Sequence, residues 1–164
     1  MERAAAFVLP IVFGSKSMKF RFIWVGKTRD KNYKALQDEY LQRLSHFVNC
    51  EIVEVKDGGG KTSEGQRILQ KVNQSSFVCL LEVTGRQLSS HDLAGEVANW
   101  QNRGLKQIAV IIGGADGVSD EVAELADNRL SLSFLTFTHE MARVVMLEQL
   151  YRAYTIIKGY PYQK

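Results

Sequence analysis

Two cysteines, two prolines and three histidines in 164 residues exclude several kinds of protein at once. Cys50 and Cys79 each fall in an apolar, β-branched run, which reads as two buried thiols rather than a disulfide and fits a reducing cytoplasm. His46, His91 and His139 are far apart, and no CxxC or HxxxH spacing occurs, so no metal site is expected. Two prolines and thirteen glycines are too few for a disordered or fibrous chain. A formal net charge of +3 permits a nucleic-acid partner without demanding one, whereas a non-specific nucleic-acid binder would be more basic. Long hydrophobic runs are also missing. The apolar stretch Ala4–Gly14 is interrupted by Pro10 and too short to span a bilayer, so no membrane association is expected. Ser15-Lys16-Ser17 after it is not a small-x-small cleavage site. Residues 1–17 therefore read as a disordered extension or an upstream start, with the folded unit opening at Met18. Hydrophobic residues at 45% and charged ones at 24% describe a single globular domain over 18–164, large enough to bury a core.

From Lys19 the chain alternates strand and helix patterns. Lys19–Val25 alternates as a strand and Gly26 breaks it. Asp30 caps a helix over about Lys31–Phe47, with Leu36, Tyr40, Leu44 and Phe47 on one face. Glu51–Val55 is a short strand, and the loop Lys56–Thr62 is centred on three glycines. Ser63-x-x-Gln66 matches a capping box and opens a helix to about Asn73. Phe77–Val83 is nearly all apolar, as a central parallel strand covered on both faces should be, and Gly85 ends it. Ser89-x-x-Asp92 starts a helix with Leu93, Val97 and Trp100 buried, which stops at Gly104. Gln107–Ile112 is another buried strand. Ser119 caps a short helix with Asp120 and Glu121 in its first turn. Leu130–Phe137 is the last strand-like run. Thr138 then caps a helix from His139 to about Lys158, and Gly159 ends it. This order argues for one α/β domain with a mostly parallel sheet.

The last helix is apolar on nearly every side, which requires cover on every side. Its own sheet can supply one side, and a second copy of the helix across a two-fold axis would supply the other. Glu148, Arg152 and Thr155 form a narrow polar stripe, with Glu148 and Arg152 at supportive spacing. A buried ionic stripe marks a register device or a site.

Chemistry-bearing motifs are few. Gly113-Gly114-Ala115-Asp116-Gly117 follows a buried strand, where α/β folds bind ligands and glycine permits close approach. It is not GxGxxG, and Asp116 would repel a phosphate, so no phosphate cradle is expected. A tight strand-to-helix turn explains the same residues equally well. Leu132–Phe137 taken alone is a core strand or a cofactor loop. His139 taken alone is a surface histidine at a helix start, with a lowered pKa.

Taken together, KFRFIWVGKT, IIGGADGVSD, LSLSFLTFTHEMARVVMLEQLYRAYTI and the ending GYPYQK resemble the RlmH family of ribosomal RNA large-subunit methyltransferases, of the SPOUT class. The resemblance runs from Met18 to Lys164 in order. It implies a SPOUT-type α/β domain whose C-terminal part, about 77–164, is threaded into a deep trefoil knot, and a cytoplasmic homodimer. It implies S-adenosyl-L-methionine held among three loops, at Leu81, at Gly113 and Gly114, and at Leu132, Ser133, Phe134, Leu135, Thr136 and Phe137. The implied reaction is methylation of N3 of a pseudouridine in large-subunit rRNA of the assembled ribosome. His139 would take the N3 proton, Arg152 would hold the base or a phosphate, and Tyr162 would contact base or RNA. Phe134, Phe137 and Thr138 depart from the family pattern without removing a functional group. A SPOUT enzyme acting on tRNA, or a non-catalytic ribosome-associated dimer, is the alternative reading.

Overall fold

A computed structural model describes residues 18–162, so the extension expected over 1–17 lies outside the described residues. The chain forms strands β1 (Lys19–Val25), β2 (Asn49–Val55), β3 (Phe77–Gln87), β4 (Gln107–Ile112) and β5 (Asn128–Ser131). Helices α1 (Lys31–Ser45), α2 (Gly60–Leu69), α3 (Ser90–Asn102), α4 (Asp120–Glu124) and α5 (His139–Lys158) alternate with them. The five strands make one sheet in the order β2-β1-β4-β3-β5, with every pairing parallel. The expected mostly parallel sheet is thus wholly parallel.

Period-two patterning places two cores on the two faces of this sheet. Phe20, Phe22, Trp24, Ile108, Val110 and Ile112 pack beneath α1, α3 and α5, against Leu44, Trp100 and Leu147. Ile23, Val25, Ala109 and Ile111 meet Ile68 of α2 and Val122 of α4 on the other face. All six residues of β4 are buried because they have neighbours on both faces and both edges. Each buried valine and isoleucine among them contributes roughly 1.5–3 kcal/mol by leaving water. Both cysteines are free thiols, and burial pushes each up to about 12.

The helix starts follow local hydrogen-bonding chemistry. Asp30 accepts from the N–H groups of Asn32 and Tyr33, and Ser89 with Asp92 completes a capping box. Ser119 accepts from Val122 N–H and Thr138 from Met141 N–H. Gly159 ends α5 in the left-handed region at φ 71°.

Several expectations need correction. The helix expected to open at Ser63 begins at Gly60 instead. Its cap is Gly59, at φ 84°, which makes no side-chain capping bond. Gly85 does not end β3. The strand shifts register between Leu81 and Arg86 and runs on to Gln87. A β-carbon on Gly85 would lie 2.6 Å from the Leu130 carbonyl carbon, so glycine there serves the close approach of β3 to β5. Leu36 is exposed rather than part of the buried face of α1. β5 stops at Ser131, and Leu132–Phe137 is a loop, not a strand.

α5 is flanked by α1 and α3 as well as resting on the sheet. Its own chain therefore supplies most of the cover that its apolar surface requires. Half-buried positions remain along it, and they include one outward line, Met141, Val145, Glu148, Gln149, Arg152 and Ile156.

Candidate functional site

From β1 the chain turns outward to β2, and from β4 it turns the opposite way, through α4 to β5. Parallel sheets open a crevice at their carboxyl edge where the winding reverses in this way. Two concavities along that edge border the turn after β4. A cleft of about 900 Å³ sits over the ends of β3, β4 and β5. A smaller one, about 340 Å³, sits over the ends of β1 and β2 and includes Val25, Lys27, Arg29, Asp57, Glu64 and Glu140. Gly114, Ala115, Asp116 and His139 border both.

The large cleft brings together residues that are distant in sequence. Leu81 comes from β3, Gly113 and Gly114 from the turn after β4, and Leu132, Ser133, Leu135, Thr136 and Phe137 from the loop after β5. His139 and Ala142 close it from the first turn of α5. Of the nine positions expected to hold a cofactor, only Phe134 is not a wall of the cleft, and its side chain stands 74% exposed. Leu135 is 75% exposed but does line the cleft. Serines shape this loop: Ser131 donates to the Ser133 carbonyl at 3.0 Å, and Ser133 Oγ accepts from Leu135 N–H at 3.0 Å.

The glycine turn is closed by Gly117 N–H donating to the Gly114 carbonyl at 3.1 Å, with Gly117 at φ 79°. A β-carbon on Gly113 would lie 2.8 Å from the carbonyl carbon and oxygen of Gly117 and 2.9 Å from Val118 Cγ1. Glycine at 113 is therefore required by the turn itself. Of the two explanations open from the sequence, the tight turn accounts for this residue without a ligand.

The sequence reading missed other walls. Glu82, at the end of the apolar part of β3, pairs with Arg129 of β5 at 3.5 Å. Asp116 and Asp120 add two further carboxylates. Asp116 and Asp120 follow the end of β4, whereas Glu82 lies within β3, and only the tertiary arrangement brings the three together. Three acids against one arginine give the cleft an acidic balance, which opposes phosphate and favours a cationic ligand.

His139 is half-buried. Partial burial, then the positive charge of Arg143, holds its imidazole below the ordinary histidine value, so it is neutral and able to accept a proton near pH 7. Arg152 and Tyr162 are not at this cleft within one chain. Arg152 lies about 20 Å further along α5 than His139, at 1.5 Å per residue. There Arg152 Nε donates to Glu148 Oε1 at 3.0 Å, Tyr162 Oη donates to the same oxygen at 3.3 Å, and the guanidinium sits 4.8 Å from the Tyr162 ring centroid. The hydrogen bond to Glu148 raises the Arg152 pKa further, while burial and the same carboxylate raise that of Tyr162. The expected catalytic trio is thus split between two places.

No group of histidine, cysteine and carboxylate side chains able to hold a metal occurs among the described residues. None of the described helices is long and apolar enough to cross a membrane.

Comparison with known proteins agrees with this architecture. A family profile described as "Predicted SPOUT methyltransferase" matches residues 18–163. A protein of Desulfotalea psychrophila named "Ribosomal RNA large subunit methyltransferase H" is 41% identical over 153 residues, covering 90% of this chain and 100% of that one. Proteins of the same name from Sorangium cellulosum and Clostridioides difficile are 42% and 40% identical. They cover 84% and 90% of this chain, and 94% and 100% of their own lengths. With nearly its whole domain matched, the chain belongs to the SPOUT methyltransferase family.

Proposed function

We propose that the chain methylates N3 of a pseudouridine in large-subunit ribosomal RNA, in the cytoplasm and as a homodimer, with S-adenosyl-L-methionine held in the large cleft. The observation that carries this reading is the cleft itself: the ends of β3 and β4 and the loop after β5 converge on one space of about 900 Å³ beside His139. Its walls fit that cofactor. Leu81, Ile112, Leu132, Leu135 and Phe137 offer apolar surface for a flat adenine, and loop backbone groups are available to read its edge. Glu82, Asp116 and Asp120 suit a cationic sulfonium and would repel the phosphates of ATP or NAD. When bound, the cofactor supplies the electrophilic methyl group.

The residues of the chain then have three tasks. They align the imide nitrogen for in-line attack, exclude competing nucleophiles and remove the N3 proton. His139, neutral and on the rim, is the proton acceptor. Arg152, far along α5, and Tyr162, beyond its end, lie too far to reach the cleft of their own chain, so they serve it from the second protomer. The outward line Val145–Arg152 on α5 is the surface through which the two copies meet, with the threading of the C-terminal segment into a knot fixing the loops of each cleft.

Pseudouridine has an N1–H that uridine lacks. A site with an acceptor for that donor rejects uridine, because the acceptor would be left unsatisfied. Mass spectrometry of rRNA nucleosides from cells with and without the gene tests the reading. Loss of one N3-methylpseudouridine supports it, and an unchanged rRNA profile with a lost tRNA methylation overturns the substrate. Calorimetry with S-adenosyl-L-methionine, in competition with S-adenosylhomocysteine, tests the cofactor separately.

A further inference from the structure

Arg143 is the one charged side chain among the described residues that is fully buried, at 0% exposure. It stands on the core face of α5, with Met146, Leu147 and Leu150 at helical spacing beyond it. Its guanidinium lies 4.9 Å from the Trp24 ring centroid, donates from Nη2 to the Val25 carbonyl at 2.5 Å and from Nη1 to Thr28 Oγ1 at 3.0 Å. No carboxylate forms an ion pair with it among the described residues, and its Nε has no hydrogen-bond partner. Burial pulls the Arg143 pKa down, and Glu140 and Glu54 offset this only through space, without a direct ion pair. A charge buried in that way is costly, and an apolar side chain of similar length would fill the space at lower cost. Packing alone therefore does not explain an arginine at this position.

The same helix turn holds a second tie. Glu140 accepts from the backbone N–H groups of Arg29 and Asp30 at 2.7 and 3.2 Å. Two charged residues, one turn apart, thus grip one segment, Val25–Asp30, which leaves the sheet where its winding reverses. His139 is next to Glu140 and one turn before Arg143, so its position depends on this grip. It is also the α5 residue through which the two crevices meet.

We propose that Arg143 is a positioning residue for methyl transfer: with Glu140 it locks the first turn of α5 to the Val25–Asp30 segment and fixes His139 on the ridge between the two crevices. This rests on the reading of His139 as the proton acceptor. The charge of Arg143 has a second effect. The groups facing His139 are Arg143 and Glu140 on α5, Lys27 and Arg29 beyond β1, Asp57 and Glu64 beyond β2, and Asp116 on the glycine turn. Burial first and Arg143 second favour the neutral imidazole, while Glu140 and Asp57 oppose them. Removing the arginine charge should therefore make His139 easier to protonate.

The test uses the full chain with Arg143→Met, Arg143→Lys and Thr28→Val. The readouts are kcat and KM on ribosomes, cofactor affinity by calorimetry, and the His139 ring titration by NMR. Arg143→Met should lower kcat roughly 10- to 100-fold, the scale of an ångström of misplacement. It should leave cofactor affinity near wild type and move both the His139 midpoint and the acid limb of the rate profile to higher pH. Arg143→Lys should restore the midpoint but only part of kcat, because one ammonium cannot span Val25 and Thr28 as a planar fork does. A folded Arg143→Met protein with wild-type kcat and a wild-type His139 midpoint overturns the proposal. If that variant does not fold, Thr28→Val decides: it removes one arm, and unchanged kcat there overturns the proposal equally. A shifted midpoint with a lowered kcat but an unshifted rate profile would leave the grip standing and remove His139 from proton transfer.

Discussion

Replacing Gly113 by alanine separates a glycine kept for a ligand from a glycine kept for a turn. The added methyl would lie 2.8 Å from the Gly117 carbonyl carbon and oxygen, backbone that cannot rotate away, and 2.9 Å from the side-chain Cγ1 of Val118. Relief requires the turn to open, and overpacking of this kind costs about 1–3 kcal/mol. Gly95 on α3 is the internal control. A β-carbon there meets nothing within 4 Å, and alanine is favoured over glycine in a helix interior by about 1 kcal/mol. The same chemical change should therefore have opposite signs at the two positions. Urea unfolding of the ligand-free protein at fixed protomer concentration reads both, and thermal midpoints should move about 2–4 °C per kcal/mol, down for Gly113→Ala and up for Gly95→Ala. Cofactor affinity of Gly113→Ala should fall as well, because Gly114 and Asp116 move with the turn. If Gly113→Ala keeps wild-type stability without ligand and loses only cofactor binding, the turn argument is wrong and the space belongs to the ligand.

Other substitutions probe the remaining parts. Arg152→Ala should reduce ribosome methylation by tenfold or more, about 1.4 kcal/mol in the barrier, with cofactor affinity near wild type; parallel loss of both in calorimetry and turnover would count against a role on the RNA side. His139→Ala should lower the rate about 100-fold to 10,000-fold and abolish the acid limb of the pH–rate profile. In the wild type that limb should fall below the ordinary histidine value, because the neutral imidazole is favoured; a limb at or above that value would contradict this. Val145→Asp places a charge on the outward line of α5, so sedimentation should show a monomer that remains folded, and an intact dimer would move the interface elsewhere.

Much of the fold was legible because its signals are local. Gln107–Ile112 reads as a strand at both ends because five apolar residues follow Gln107 and stop abruptly at Gly113. Asp30, Ser89, Ser119 and Thr138 mark helix starts because each side chain satisfies an amide only two or three residues away. The misreadings have a common cause in distant contacts. Gly85 looks like a strand end, but it is a glycine because β5 passes close to it. Leu132–Phe137 has the composition of a strand, yet no neighbouring strand pairs with it and its own serines hold it as a loop. Arg143 was overlooked for the same reason. Its place on the apolar face was visible at helical spacing, but its partners Val25 and Thr28 lie more than a hundred residues earlier in the chain. The cleft positions emerged from resemblance, whereas the acidic walls Glu82 and Asp120 needed the tertiary arrangement.

The central position of β4 has a consequence for how the protein is made. Its hydrogen-bonded neighbour β1 pairs Lys19 with Gln107, so the middle of the sheet cannot close until most of the chain has left the ribosome. Until then β1 and β2 have only each other to pair with, and an isolated two-stranded unit is marginally stable at best in water. A topology dominated by such distant pairing folds slowly and leaves sticky edges uncovered while it does so. The strand that is best protected in the finished molecule is therefore the one whose late arrival most exposes the nascent chain to misassociation.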